Sequence, residues 1–511
     1  MSNTKTIARN AGWYGLESAI SAFVTFVTSI LIARSLGPTK NGYIVYVNYI
    51  ASVVSTLGGI GIASATQKYM AEFLGMGDRG TSRSIYLRTL SLQVVFATVT
   101  TTALAFWVLR DAPAEYKLAS FLIVLSIWPG MVNTISAQAN VAMEELSRNV
   151  PASVLSTLAF LVGITATVVC HWGVLGVGAT ILVMRAVDCL VRIFPTAKYV
   201  LAWEATHPRP VALYGRMFSF AWQSVASTVA ALIVWDRSEV LLLKNLCPDI
   251  RQVAFYSVAF SMAERLLLGS TIFGAATNAT ILAQYGRDKS RLPFMAAATV
   301  RYLALAALPL HIIAASLAVP ALLLLFGREY AGAAMVASLA PLLCLPKAFM
   351  SPAQSLLQST ERQSYIIAAT ILAGIVDIGV AWLLIPHYGA VGACLGSGAA
   401  QITAVGLMWA ICIRLYDVRL AWVTMAKVAA ASVTASLCAY FIALRLDPVM
   451  GILIGGCASI VVFVFMIYVL RVLEESDGER MEVVFKLLPG WIGRPASAVT
   501  SLLIPRFSDA K

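Results

Sequence analysis

Ser29-Ile30-Leu31-Ile32-Ala33-Arg34-Ser35-Leu36-Gly37-Pro38 recurs 210 residues later as Glu239-Val240-Leu241-Leu242-Leu243-Lys244-Asn245-Leu246-Cys247-Pro248. In both copies an aliphatic run ends on a base, and a short polar turn then closes on proline. Gly42-Tyr43 and Phe255-Tyr256 follow, each opening a new apolar run. Asp236, Arg237 and Glu239 stand at the head of the second copy, inside the apolar stretch from Met217 to Leu243. Charges in hydrocarbon are costly and normally face a protein interior or a wetted cavity. The duplication predicts a chain whose second half restarts the first.

Composition sets the solvent. Hydrophobic residues make up 59% of the 511, charged residues only 12%, and the mean hydropathy is +0.81. Soluble chains carry about 25% charged residues. Many runs reach the roughly 20 apolar residues that a spanning helix needs. No two-residue alternation marks a barrel, so an all-α polytopic membrane protein is expected. Residues 1–10 are short and polar, and the apolar run from Trp13 is too long for a signal core, so no cleaved leader is expected. The eight cysteines lie mostly in apolar runs without a CxxC pair, which fits small buried hydrophobes rather than metal or disulfide roles.

Fourteen spans are predicted: 13–33, 43–71, 86–109, 118–142, 150–170, 174–196, 217–243, 252–283, 297–325, 332–358, 364–385, 390–413, 420–444 and 449–470. With this topology, 24 Lys and Arg fall on the side of the N-terminus and 8 on the other. That asymmetry is a positive-inside signal and puts both termini in the cytoplasm of a multi-pass inner or plasma membrane protein. It also accounts for the net charge of +12 without a nucleic-acid partner. The offset divides the chain into six-helix lobes at 1–207 and 208–418, with the polar stretch 198–216 as linker. Six is even, so the lobes enter the membrane alike, as parallel repeats with a binding site between them. Helices 13 and 14 (419–470) stand outside the repeat, and the tail 471–511 is read as cytoplasmic and interfacial.

The opening hairpin carries a resemblance. Ile30 to Pro38, Gly42-Tyr43, Leu57-Gly58-Gly59-Ile60-Gly61-Ile62-Ala63 and Lys68-Tyr69-Met70-Ala71-Glu72 resemble the first hairpin of the polysaccharide-biosynthesis flippases. These are lipid-linked oligosaccharide and O-antigen translocases of the multidrug/oligosaccharidyl-lipid/polysaccharide exporter superfamily. Cys247, where the first copy has Gly37, departs from the pattern. The resemblance implies a V-shaped, two-lobed carrier without a cofactor. It would pass a polyprenyl-pyrophosphate-linked glycan from the cytoplasmic to the outer leaflet by alternating access. Its implied partners are that glycan, membrane lipid and other polysaccharide-assembly proteins.

Five bases fall within the predicted spans: Lys68, Arg185, Arg237, Arg265 and Lys347. At ~1.5 Å of rise per residue, Arg265 lies ~21 Å past Arg251 and Lys347 ~24 Å past Ala331, both mid-membrane. A dianionic pyrophosphate needs cationic partners, and Arg265, Lys347, Arg185 and Lys68 are the cavity candidates. The competing reading makes them neutralise nearby acids. Arg185, Asp188 and Arg192 share one helix face and would form an ion-pair ladder. Lys347 follows Pro346, with Pro341 and Pro352 nearby, so the helix there should be loosened. Asp236, Arg237, Glu239 and Asp377 are candidates for ion coupling or gating, against salt bridging to Arg237 or Lys244.

No P-loop, metal spacing among the four histidines, or serine elbow is present. A multidrug or organic-cation antiporter of the same superfamily is the rival transporter, although its pocket should favour acids and the five bases among the spans argue against it. A membrane glycan polymerase or ligase would carry a long outer loop, and the predicted outer loops span about ten residues or fewer.

Overall fold

A computed structural model describes residues 2–204, 211–235, 238–271, 273–274, 281 and 288–473. Among these, every regular element is helical. The chain divides into two compact units, Met1–Ser257 with Ile385–Ala393, and Val258–Leu384 with Cys394–Lys511. Eleven helices among the described residues are long and apolar enough to cross a membrane. Fourteen were expected. The difference arises in part because spans 13–33 and 43–71 share one helix through a kink. The spans expected at 217–243 and 252–283 include residues outside the described set. The helix flanks carry large exposed apolar side chains, among them Phe106 (76% exposed) and Leu383 (69%), as lipid-facing surfaces do.

The first unit holds α1 (Ser2–Gly58), α2 (Ile62–Gly75), α3 (Arg79–Asp111), α4 (Lys117–Leu125), α5 (Ile127–Ala142), α6 (Val150–Val169), α7 (Gly173–Leu201), α8 (Val211–Trp235) and α9 (Glu239–Leu246). The start of α10 (Arg251–Leu266) also belongs to it. The duplicated turn appears as a single non-helical residue inside α1, Gly37 at φ 69 and ψ 173, directly before Pro38. Glycine takes that backbone freely, and proline then restarts the helix at its first turn. The two copies of the motif abut, because Gly42 of the first packs against the Ile250 carbonyl of the second, where a methyl group would not fit. The second turn is pinned by Arg251, whose Nε bonds Asp249 at 3.0 Å. Partial burial works against the Asp249 charge, but the Arg251 hydrogen bonds hold its carboxyl below the usual range. The expected linker is shorter than 198–216, since α7 runs on to Leu201 and α8 begins at Val211.

The span expected over 43–71 is broken. Between α1 and α2, Ile60 and Gly61 adopt left-handed φ of 43° and 64°. The Ile60 N–H turns to the Leu57 carbonyl (3.2 Å) and the Ile62 N–H to the Gly59 carbonyl (3.0 Å), three residues back rather than four. The Ala221 carbonyl of α8 rests on Gly61, so only a residue without Cβ fits there. Around the break, Tyr69, Met70, Ile85, Tyr86 and Ile135 form one buried cluster with Met217 and Ala221 of α8. Threonines in these helices return their hydroxyls to their own ladder, as Thr66 does to Ile62 (2.8 Å) and Thr89 to Ile85 (2.9 Å). That satisfies the hydroxyl without water.

The second unit continues with α11 (Leu292–Phe326), α12 (Ala334–Ala348), α13 (Met350–Ser359), α14 (Gln363–Tyr388), α15 (Ala390–Tyr416), α16 (Trp422–Ala443) and α17 (Pro448–Val469). The stretch expected to be loosened by proline is interrupted at Phe349 (φ −94, ψ 5), between α12 and α13. The Trp409 indole of α15 donates to the Phe349 carbonyl at 3.0 Å, giving a partner to an acceptor at the break. α11, α16 and α17 pack through Ala304, Leu308, Val428, Ala431 and Ile467. The tail read as interfacial lies, from Glu474 on, outside the described residues.

Gly61→Ala should lower the unfolding midpoint of the detergent-solubilised protein well below that of Gly59→Ala. The first adds left-handed strain of about 1–2 kcal/mol and a backbone clash. The nearest neighbour of a methyl at Gly59 is 3.5 Å away. Equal midpoints for the two variants would show that α8 does not bear on the break.

Candidate functional site

The basic residues singled out in the sequence fall into different surroundings. Lys68, on α2, is exposed, and its Nζ stands 3.9 Å from the centroid of the Phe220 ring. Arg216 of α8 reaches Glu72 at 3.4 Å and lies over Tyr69. Lys68 therefore belongs to a charged and aromatic cluster midway along the short helix α2, from which a long side chain can snorkel.

Of the ladder expected on α7, the structure forms one direct rung. Asp188 is taken by Arg192 (2.6 Å), four residues on, and by the amide of Asn133 from α5. Arg192 also reaches Ser153 of α6 at 3.2 Å, and Thr196 reaches Asn140 at 3.2 Å. The pair is nearly buried, with side chains 10% and 15% exposed. Arg185 is left out of it. Its side chain is exposed, its Cδ passes over the bare backbone of Gly130, and it makes no hydrogen bond or ion pair among the described residues. Asp188 still acts on the Arg185 charge from three residues away, but its direct ion pair goes to Arg192.

Arg265 and Lys347 lie in the second unit, and each is the last residue but one of its helix, α10 and α12. Both are half-buried. A cation in a final turn is favoured by the partial negative charge of the exposed carbonyls. Asp377 is 1% exposed on α14 in the same unit. Glu239 belongs to the first unit at 2% exposure, and the Tyr256 hydroxyl donates to its Oε2 at 2.8 Å. That bond ties α9 to α10 and joins the head of the second motif copy to its tail. Asp236 and Arg237 lie outside the described residues.

One feature escaped a search directed at charges. A pocket of about 240 Å³ opens at the α1–α2 break, between Thr56, Gln93 of α3, Thr134 of α5 and Ser224 of α8. Gln93 is 1% exposed, and its Oε1 has no hydrogen-bond partner among the described residues. A buried amide oxygen left unbonded costs about 1–3 kcal/mol. The only hint in the sequence is three glycines within four residues, Gly58-Gly59-Ile60-Gly61. No group of His, Cys, Asp or Glu among the described residues could hold a metal ion.

Comparison with known proteins agrees with the resemblance carried by the opening hairpin. Over 365 residues, 68% of each chain, the protein is 25% identical to the succinoglycan biosynthesis transport protein ExoT of Rhizobium meliloti (strain 1021). Its fold is similar to that of the lipid II flippase MurJ in an inward closed conformation, with a TM-score of 0.69 at 12% identity over 89% of this chain and 97% of that one. It is also similar to an inward-facing multidrug resistance MATE family transporter of the MOP superfamily, with a TM-score of 0.64 at 15% identity over 78% and 94%. Identities this low speak for fold alone. Residues 7–281, more than half of the chain, match the family described as polysaccharide biosynthesis protein. The span-length helices, their apolar flanks and this match make the chain a multi-pass membrane protein of the polysaccharide biosynthesis protein family.

Proposed function

We propose that the chain is a flippase. It moves a polyprenyl-pyrophosphate-linked oligosaccharide from the cytoplasmic to the outer leaflet by alternating access, for cell-surface polysaccharide assembly. The observation that carries this reading is Arg185. An exposed guanidinium without an ion pair, on a helix otherwise suited to lipid, is a group placed to meet an anion. Arg265 and Lys347, half-buried at helix ends, would share the pyrophosphate, with Lys68 nearer the membrane surface. A guanidinium grips two phosphate oxygens at once, while an ammonium supplies a point charge.

The six-helix lobes 1–207 and 208–418 are the parts whose rearrangement would carry the substrate across. Coupling to an ion gradient is assigned to the acids Glu239 and Asp377, with Asp236 and Arg237 as gating partners. Glu239 and Asp377 are buried, Asp377 within a span-length apolar helix, and acids so placed in membrane segments mark ion pathways. The relative from Rhizobium meliloti, a transport protein of succinoglycan biosynthesis, supports a glycan as cargo and transport rather than catalysis as the activity. Other polysaccharide-assembly proteins remain the expected partners.

Two measurements test this reading. Arg265→Ala and Lys347→Ala should abolish polysaccharide export in cells that depend on the chain. Arg185→Ala should reduce it about tenfold or more, the cost of a lost charge-assisted bond, with protein level and membrane insertion unchanged. Wild-type export by all three would remove the cation site. The excess of bases on the N-terminal side predicts a cytoplasmic C-terminus. An alkaline phosphatase fused after Lys511 should stay inactive while a fluorescent protein fused there glows, and active phosphatase would invert the topology.

A further inference from the structure

The pocket at the α1–α2 break lies wholly within the first unit, and its chemistry differs from that of the proposed cation site. No charged side chain lines it, so it is not built for a phosphate or a multivalent metal. Its polar groups, hydroxyls of serine and threonine and the Gln93 amide, can both donate and accept. The Thr56 hydroxyl donates to the Ser52 carbonyl (2.9 Å), Thr134 to Met131 (2.6 Å) and Thr228 to Ser224 (2.8 Å). With those protons committed to their own helices, the hydroxyl oxygens keep lone pairs for a ligand that brings donors. Gln93 lines the same wall, with its Nε2 near Gly59 and its Oε1 buried without a hydrogen-bond partner among the described residues. The break contributes as well, because a continued helix would bond the Thr56 carbonyl to the Ile60 N–H, which instead turns to Leu57.

A neutral cavity lined by hydroxyls and an amide fits either an alkali cation or a polyol. Two observations favour the polyol. The volume of about 240 Å³ far exceeds the shell of one coordinated ion and suits a solute the size of a sugar ring. Leu57, Met131 and Val225 line the pocket alongside the hydroxyls. A pyranose has the matching character, with hydroxyl donors around its rim and C–H groups on its faces. Gln93 sits fourteen residues into α3 from Arg79, or ~21 Å along the helix, at mid-membrane depth where an unbonded amide is costly without a ligand.

We propose that this pocket is a sugar subsite, in which Gln93 and the threonine hydroxyls hold one neutral sugar ring of the transported glycan. The proposal rests on the flippase reading and adds to it a second point of recognition, separate from the pyrophosphate. Charge would then select any lipid pyrophosphate, and the pocket would select the loaded one.

The test uses full-length protein in lipid nanodiscs, titrated calorimetrically with two probes. One is a disaccharide on a short isoprenyl pyrophosphate, and the other is the same isoprenyl pyrophosphate without sugar. Gln93→Leu removes an unsatisfied amide without changing the volume greatly, so the fold should hold, and Thr134→Val supplies an independent variant. Each should weaken the sugar-bearing probe about tenfold, the scale of one or two lost hydrogen bonds, and leave the sugar-free probe within about twofold. Equal loss for both probes, or no loss for either, overturns the subsite and leaves the flippase reading standing. A loss seen in sodium salts and absent in choline salts overturns it in favour of a cation site. Wild-type protein that binds neither probe would overturn the flippase reading, and this inference with it.

Discussion

In hydrocarbon a peptide group without a partner costs several kcal/mol, and the architecture follows from that constraint. It explains why every regular element among the described residues is helical, and why serine and threonine hydroxyls fold back on their own ladders. It also governs where a helix can stop. At Phe349 the carbonyl is taken by the Trp409 indole. At Ser126, between α4 and α5, the backbone N–H still reaches the Leu122 and Ile123 carbonyls, so the helix bends and the ladder persists. At Gly59–Gly61 the ladder does open, and there the protein gathers neutral hydroxyls and an amide. Broken helices of this kind are tolerated where the backbone lines a cavity.

Charged groups obey the same rule with higher stakes. Asp188 and Arg192 bury one another with Asn133 and Ser153 at hand, so both carboxylate oxygens are bonded. Glu239 is held by Tyr256. Lys68 and Arg148 lie over the aromatic rings of Phe220 and Tyr199. Against this background Arg185 differs in kind. It shares a helix with an acid three residues away, and that acid has already been claimed. Arg185 feels the Asp188 charge without a direct bond to it, because Arg192 and Asn133 occupy the carboxylate.

Much of the fold was legible because its signals are periodic and local. The Gly37-Pro38 turn, the apolar runs and the second copy of the motif were all readable from residue types, and so was the family resemblance. The break at Gly59–Gly61 was not. The run Ser52–Tyr69 is apolar enough to read as continuous, and the decisive fact is the Ala221 carbonyl, 160 residues away in sequence, lying against Gly61. The fate of Asp188 was equally hidden. Spacing allows it Arg185 at i−3 or Arg192 at i+4, and the choice depends on Asn133 and Ser153 arriving from other helices. Helix-face arithmetic can propose partners, but the neighbouring helices choose among them.

Gln93 shows a further limit of reading by charge. Inside a membrane, ionisable residues draw attention because their cost is large. A glutamine carries no charge and sits easily in an apolar run, so its sequence signal is slight. Its cost appears only once packing has buried it and its hydrogen bonds can be traced. Yet the cargo proposed here is mostly neutral, with a charged linkage at one end and a glycan rich in hydroxyls beyond it. Cations can grip the linkage, but they cannot tell one glycan from another, or a loaded lipid from a bare one. Selectivity of that kind needs neutral donors and acceptors held at fixed positions. A backbone opened by Gly59–Gly61 and faced by Gln93 is where the first unit supplies them.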